Sequence, residues 1–250
     1  MRAEVPESLS LSYDMWEGGL HALSLETRMN RGKSAYSVKF SVRTRGLAWL
    51  VHPFSLKAQT DGVADEHGLR PLHYRSTSEK RGKTRRQEIT YLDDGSLDVR
   101  REPKKNGKPK NRVPEDLTLG TLDPASALLS IIEAFARVGR CEGSIPVYDG
   151  KRRYDLLVTQ GGSRNLKSKG YGMYSGPATV CRIAVEQLAG FKKKKNRKGR
   201  FPSAIDVWLA PLAGGEPAVP VRLEGKTDRG KMILHLVKAR HREPVERAAR

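Results

Sequence analysis

The chain has 250 residues, with 47 Lys or Arg against 28 Asp or Glu, so its formal net charge is +19. It contains no run of about 18 apolar residues, so no transmembrane helix is predicted. No Pro/Ser-rich linker divides it. We therefore predict one domain over residues 9–238, preceded by an extension (1–8) and followed by a charged tail (239–250).

Segments in which apolar and polar residues alternate predict β-strands. The segment that starts at Leu9 and the segment 20–27 flank the turn Glu17-Gly18-Gly19 and are typical of a hairpin. About ten short strands separated by turn residues favour one mostly antiparallel sheet over βαβ units. The remaining candidates are residues 36–42, 68–76, 86–92, 96–100, 154–159, 178–185, 204–210, 219–224 and 231–237.

One main helix is predicted near residues 123–138. Asp123 is a suitable N-cap and Pro124 suits the first helical position, where its missing N–H costs nothing. Arg137 lies in the last turn, and Gly139 can adopt the left-handed conformation that ends a helix. Apolar residues recur at helical spacing and would face the sheet: Leu128, Ile131, Ile132 and Phe135.

Two basic runs contain no acidic residue. Residues 192–200 (KKKKNRKGR) hold seven cations and residues 104–112 (KKNGKPKNR) hold five. We interpret both as solvated hairpin loops, with a dedicated polyanion site as the alternative. The candidate polyanion contacts are Lys192, Lys193, Lys194, Lys195, Arg197 and Lys198.

Neither run carries the stacking aromatic residues that single-stranded nucleic-acid binding uses, and no helix-turn-helix or aromatic RNA-binding strand is visible. We therefore predict no sequence-specific nucleic-acid partner. Any affinity for nucleic acid should be weak, independent of sequence and steeply dependent on salt.

The sequence shows no catalytic constellation. Its six His lack metal-ligand spacing, and His235 lies in an alternating strand where a structural role is favoured. Gly170-Tyr171-Gly172 is not followed by a helix pattern, and Asp149-Gly150 is typical of a turn. We predict no catalytic residue, metal or cofactor. A hydrolase with a dispersed site remains an alternative.

The two cysteines, Cys141 and Cys181, leave two interpretations open at this point. If the segment around residues 147–159 pairs with the strand at 178–185, they could approach within bridging distance. They could equally be buried thiols that pack as small apolar side chains.

Four aromatic residues are candidates for the lining of an apolar ligand site: Trp16, Trp49, Phe54 and Trp208. Aromatic residues at strand positions more often belong to the core, so a packing role is the alternative interpretation of each.

Five segments, taken in order, resemble the bacterial family of unknown function DUF3108. They are LSYDMWEGGLHALSLE, WLVHPF followed by GLRPLHYRS, DPASAL, VYDGKRRYDL and GPATVCRI. The resemblance implies a mainly β protein with a curved antiparallel sheet, half-barrel or barrel-like, and a helix packed against it. It also implies export to the Gram-negative envelope and therefore oxidation of Cys141 and Cys181. The family has no established activity, so it assigns no catalytic residue.

The first eight residues, MRAEVPES, do not resemble a signal peptide. We expect a periplasmic protein whose signal was removed or lies upstream, with a cytoplasmic protein as the alternative. The leading functional hypothesis is a non-enzymatic protein that binds an apolar or polymeric envelope ligand on its curved sheet. The alternative is a basic module that binds lipopolysaccharide, anionic lipid or nucleic acid. The expected partners are an envelope polymer, a lipid or a lipoprotein.

Overall fold

The computed structural model describes residues 8–103, 111–167, 170–191, 202–212, 217–228 and 230–241. Within them the strands form one antiparallel sheet, in the order β7-β6-β5-β4-β3-β2-β1-β13-β12-β11-β10-β9-β8. The strands are β1 (Ser8–Glu17), β2 (Leu20–Arg31), β3 (Ala35–Thr44), β4 (Phe54–Asp65), β5 (Gly68–Lys80), β6 (Lys83–Tyr91), β7 (Leu97–Glu102), β8 (Gly143–Tyr148), β9 (Arg153–Leu166), β10 (Gly176–Ala189), β11 (Ala204–Ala210), β12 (Val219–Thr227) and β13 (Gly230–His241).

The predicted fold class is confirmed: the protein is mainly β, with a curved, unclosed antiparallel sheet. The predicted number of strands, about ten, is too low, because the described residues form thirteen. Strand β4 was missed because its buried positions carry small or polar residues, such as Ala58, Thr60 and Gly62, which give little hydrophobic alternation. Strand β13 continues to His241, three residues past the predicted end of the domain at 238, and pairs there with Leu9.

The main helix, α2 (Pro124–Val138), is confirmed together with both of its ends. One carboxylate oxygen of Asp123 accepts hydrogen bonds from the backbone N–H groups of Ala125 and Ser126, at 2.8 and 3.1 Å. At the other end Gly139 has φ 71° and donates its N–H to the carbonyl of Phe135. A short helix that was not predicted, α1 (Gly46–Val51), joins β3 to β4, and a 3-10 turn covers Asp116–Thr118.

The sheet curls so that α2 lies inside the curve. The helix contacts β3, β4 and β5 in one half of the sheet and β8 at the opposite edge. The two ends of the sheet also approach each other, since the side chain of Gln87 on β6 donates to the carbonyl of Asp149, just beyond β8. Leu122 forms an isolated parallel bridge with Val147 on the free side of β8.

The core lies between α2 and the concave face of the sheet. Leu129 and Ile132 of the helix are buried in a cluster with Leu11, Val38 and Ile89 of the strands. A smaller cluster surrounds the two cysteines and consists of Ile131, Cys141, Val158, Cys181, Val207 and Leu209.

A buried polar network fixes the start of α2 to the sheet. The second carboxylate oxygen of Asp123 accepts hydrogen bonds from the hydroxyls of Ser126 and Thr60. The Ser126 hydroxyl lies 2.7 Å from that of Tyr36 on β3. Burial raises the pKa of Asp123 above its ordinary value, and these hydrogen bonds oppose the rise.

Candidate functional site

Helix α1 exposes almost all of its apolar side chains. Leu47 is 65% exposed, Trp49 55%, Leu50 68% and Val51 64%, and none of the helix residues is buried. A protein in water gains nothing from displaying four large apolar residues on six positions, so contiguous patches of this kind usually mark an interaction surface. The helix packs on the start of β2, where Leu20 is also 60% exposed.

A groove of about 610 Å³ runs from α1 across the outer face of β2 to β6. We call it the α1 groove. Its floor is built from two rows of paired strand residues, because neighbouring residues in register point to the same face. One row is Ser24, Arg43, Ser55, Glu79 and Thr84, and the next is Glu26, Ser41, Lys57 and Thr77.

The groove combines hydroxyl groups with an excess of positive charge. Four cations line it (Arg43, Arg45, Lys57 and Arg81) against two acids (Glu26 and Glu79), a net charge of 4 − 2 = +2. Arg45 donates from Nε to the hydroxyl of Ser24 at 3.1 Å, and Arg81 lies 2.9 Å from the Nδ1 atom of His52. Trp49, Pro53 and Phe54 give the groove an apolar wall beside its polar, cationic floor, which suits a ligand with both apolar and anionic parts.

Beside the groove, Asp14, His21 and Ser24 come together in a way that superficially resembles a catalytic triad. The Ser24 hydroxyl donates to Asp14 Oδ1 at 2.8 Å, and His21 Nε2 lies 3.2 Å from the same oxygen. A serine nucleophile needs the imidazole, not the carboxylate, as the acceptor of its proton. In this arrangement both side chains contact Asp14, so Ser24 and His21 do not form a nucleophile–base pair.

Trp16 is half-buried in an aromatic cluster rather than in the groove. Its ring stacks on His21 at 5.2 Å and meets Tyr171 edge-on at 5.1 Å. Tyr171 in turn stacks on His235 at 5.8 Å. Burial, with the nearby Arg222 guanidinium, lowers the pKa of His235.

Trp208 is 7% exposed and belongs to the core. The guanidinium carbons of Arg164 and Arg222 lie 5.9 and 5.5 Å from the centre of its ring. Of the four candidate lining residues, the structure therefore brings Trp49 and Phe54 together in the α1 groove and places Trp16 and Trp208 elsewhere.

Cys141 and Cys181 form a disulfide, with 5.4 Å between their Cα atoms. The bridge ties the end of α2 to β10, and the backbone N–H of Cys141 donates to Gln160 on β9 at 3.0 Å. A small cavity of about 190 Å³ lies against it.

The lysines and arginine of the run 192–200, from Lys192 to Lys198, lie outside the described residues, as does most of the run 104–112. The end of the run 104–112 contacts the residue before the run 192–200, because the Asn111 side chain donates to the carbonyl of Phe191 at 2.6 Å. Arg112, the last cation of the run 104–112, pairs with Glu115.

In the part of the chain that the structure describes, no group of three or more His, Cys, Asp or Glu could hold a metal ion. Over the same residues, none of the helices is long and apolar enough to cross a membrane.

The geometry defines a barrel-like protein in which a continuous antiparallel sheet curls around one helix without closing. The model of a family described as a protein of unknown function (DUF3108) matches residues 11–237, and the chain belongs to this family. The resemblance carried by the five sequence segments is therefore confirmed.

Among solved structures, the chain is similar to the beta-barrel-like protein of the domain of unknown function DUF1849 from Brucella abortus. The TM-score is 0.52 and the identity 15%, over 97% of this chain and 100% of that one. At this identity the similarity shows the fold alone. A hypothetical protein from Chlamydia trachomatis also matches, with a TM-score of 0.32 and 9% identity over 99% of this chain and 92% of that one. This similarity is too low to show a shared fold. No curated protein matches the sequence.

Proposed function

We propose that this protein is an exported, non-enzymatic envelope protein that binds anionic lipid surfaces through α1 and the α1 groove. The observation that carries the proposal is the exposed apolar helix beside a cationic, hydroxyl-rich floor. We assign the ligand to the outer face because α2 covers the concave face over β3 to β5, where Leu129 and Ile132 are buried.

The apolar part of the surface is suited to an interfacial anchor. An interfacial helix lies in the plane of the membrane with its apolar face buried in the headgroup region, and α1 exposes four large apolar side chains that could be buried in this way. Trp49 adds the aromatic side chain that membrane–water interfaces favour. Moving the exposed parts of Leu47, Trp49, Leu50 and Val51 out of water is worth about 1 kcal/mol each, roughly 4 kcal/mol in total.

The charges favour an anionic surface over a neutral one. Each Lys or Arg near an anionic leaflet contributes about 1 kcal/mol, so the net charge of +2 around the groove adds roughly 2 kcal/mol. The sum corresponds to a dissociation constant on the order of tens of micromolar. We therefore propose reversible, salt-sensitive docking.

The disulfide supports the part of the proposal that concerns export. Structural disulfides persist in oxidising compartments such as the bacterial periplasm and are rare in the cytosol. Thiol trapping on cells, before and after removal of the periplasmic fraction, tests this part. Oxidised Cys141 and Cys181 in the periplasmic fraction support export, and free thiols confined to the cytosol contradict it.

Lipid docking is tested by co-sedimentation with vesicles of phosphatidylglycerol mixed with phosphatidylcholine, and with vesicles of phosphatidylcholine alone. The variant Trp49→Ser with Leu50→Ser should lose about 30-fold in affinity for the anionic vesicles, since roughly 2 kcal/mol of apolar transfer is removed. Its matched control is Leu92→Ser with Leu119→Ser, which removes two apolar side chains that are 47% and 54% exposed elsewhere.

Equal binding by the two double variants would contradict the proposal. The same holds if wild type prefers neutral vesicles, or if it ignores both kinds of vesicle and self-associates in a way that the α1 variant abolishes. The last result would show that α1 is an interface between protein molecules.

A further inference from the structure

The outer face of the sheet carries a row of cations that crosses six consecutive strands. We call it the cation row, and it is separate from the apolar surface of α1. The register of β13, β1, β2, β3, β4 and β5 places one residue of each strand side by side, facing away from α2. In spatial order they are Arg240, Ser10, Arg28, Lys39, Gln59 and Arg75.

These six residues carry four positive charges and no acid, and the next residue in register, on β6, is Glu88 beside Arg75. Arg240, Arg28, Lys39 and Arg75 are exposed, and no carboxylate among the described residues lies within ion-pair distance of them. Within the described part of the chain, the one side-chain hydrogen bond of Arg28 is to the hydroxyl of Ser10, at 3.3 Å. With strands about 4.8 Å apart, the row spans roughly 24 Å.

This arrangement is unfavourable for the free protein. Arg28 and Lys39 are direct cross-strand partners, and like charges in that position are destabilising. Elsewhere the same sheet pairs opposite charges, as in Arg182–Asp206 at 2.9 Å and Arg86–Glu102 at 3.5 Å. Within the row, Arg75 has an acidic cross-strand partner, Glu88 on β6. The Arg28–Lys39 pair departs from the sheet's own pattern, and an anionic ligand would compensate for its repulsion.

The shape of the surface selects the kind of anion. The row runs across the strands, along the direction in which the sheet curls around α2, so it follows a convex path. A planar bilayer touches a convex face along a narrow strip and needs an apolar anchor such as α1 there, which none of the six residues of the row supplies, whereas a flexible linear polymer can follow the curve. The two flanking rows do not cancel the positive charge of the cation row. One contains Lys238, Glu26 and Lys57, and the other contains Asp61, so their formal charges sum to zero.

We propose that the cation row binds a linear polyanion of the anionic-polysaccharide class, laid across β13 to β5 with its charged groups on Arg240, Arg28, Lys39 and Arg75. The binding is electrostatic, so it releases counterions and weakens as salt rises.

The test is a titration of the full-length protein with a heparin oligosaccharide at several salt concentrations. The variant Arg28→Thr with Lys39→Thr should lose about tenfold in affinity, and the slope of log affinity against log salt should fall by about two. The matched control, Arg70→Thr with Lys226→Thr, removes two exposed cations outside the row and should change affinity less than about threefold. The charge-conserving variant Arg28→Lys with Lys39→Arg should bind like wild type.

Equal losses in the row variant and the control would overturn the proposal, because affinity would then follow total charge, including that of the run 192–200. Vesicle binding separates the cation row from the lipid proposal. The row variant should keep its affinity for anionic vesicles, and Trp49→Ser with Leu50→Ser should keep its affinity for heparin. If the row variant loses both ligands alike, the row belongs to a lipid surface and the polysaccharide inference fails.

Discussion

Replacing Asp123 tests how the protein holds α2 inside the curve of the sheet. The side chain has no exposed surface, and its carboxylate accepts from the backbone N–H groups of Ala125 and Ser126 and from the hydroxyls of Ser126 and Thr60. Asp123→Ala removes an N-cap, at a cost of about 1 kcal/mol. It also deprives the Ser126 hydroxyl of its acceptor, at about 1 kcal/mol or more, whereas the Thr60 hydroxyl can still donate to the carbonyl of His73 at 3.1 Å. We expect the free energy of unfolding to fall by roughly 2–3 kcal/mol.

Asp123→Asn should be milder and should change the dependence of stability on pH. The amide keeps one oxygen for the backbone N–H groups, so the expected loss is about 1–2 kcal/mol. Burial raises the pKa of Asp123 in the folded state, so the folded protein binds the proton more tightly than the unfolded chain does. The stability that this proton contributes is complete below the ordinary value of 3.8 and is lost as pH rises through the folded pKa. The asparagine variant should lack this pH-dependent loss.

Urea unfolding followed by tryptophan fluorescence measures these changes at a series of pH values from 4 upwards. The matched control is Asp65→Ala, because Asp65 accepts hydrogen bonds from the backbone N–H groups of His67 and Gly68, but at an exposed turn. We expect the control to lose about 1 kcal/mol or less. If Asp123→Ala proves no more destabilising than Asp65→Ala, the buried network does not hold the helix as argued.

Three further outcomes are expected. Replacing Cys141 and Cys181 by Ser should lower the free energy of unfolding by about 3–4 kcal/mol, measured in urea, since the bridge closes a separation of 40 residues. A loss below about 1 kcal/mol would contradict this entropic argument. Gly62→Ala should cost about 1–3 kcal/mol in the same assay, because its Cβ would lie 2.5 Å from the Tyr36 ring and from a backbone carbonyl. An unchanged midpoint would show that the strands shift to accommodate it. Binding to unrelated DNA and RNA sequences should be equal and should weaken steeply with salt, and selective binding at physiological salt would oppose the electrostatic reasoning.

Helix α2 could be predicted from sequence because its signals are local. Asp123, Pro124 and Gly139 mark its ends by their own backbone and capping chemistry, whatever the helix packs against. Helix α1 could not be predicted in the same way. Its sequence, GLAWLV, lies between two strands and lacks polar residues, so burial ranking favours a core position for Trp49. The structure exposes it instead.

The residues of the cation row could not be associated from the sequence alone. Arg240 and Arg28 lie more than two hundred residues apart, and they become neighbours because the first and last strands pair through Ser10 and Arg240. Register decides which face each residue occupies, and a shift of one strand by one residue would turn that strand's member of the row inward. By contrast, the two basic runs that dominate the sequence lie almost entirely outside the described residues, so their interpretation as solvated loops stays a prediction.

The two faces of the sheet therefore differ in what their side chains contact. The concave face carries the apolar residues that pack on α2, together with the buried hydrogen-bond network around Asp123. The outer face carries two features that do not contribute to this packing: the exposed residues of α1 and the charges of the cation row. Each is mildly unfavourable in isolation, one through exposed apolar area and the other through like-charge repulsion. They lie on the same surface, with the α1 groove between them through Ser41 and Lys57, so the two proposed ligands would meet neighbouring parts of one face.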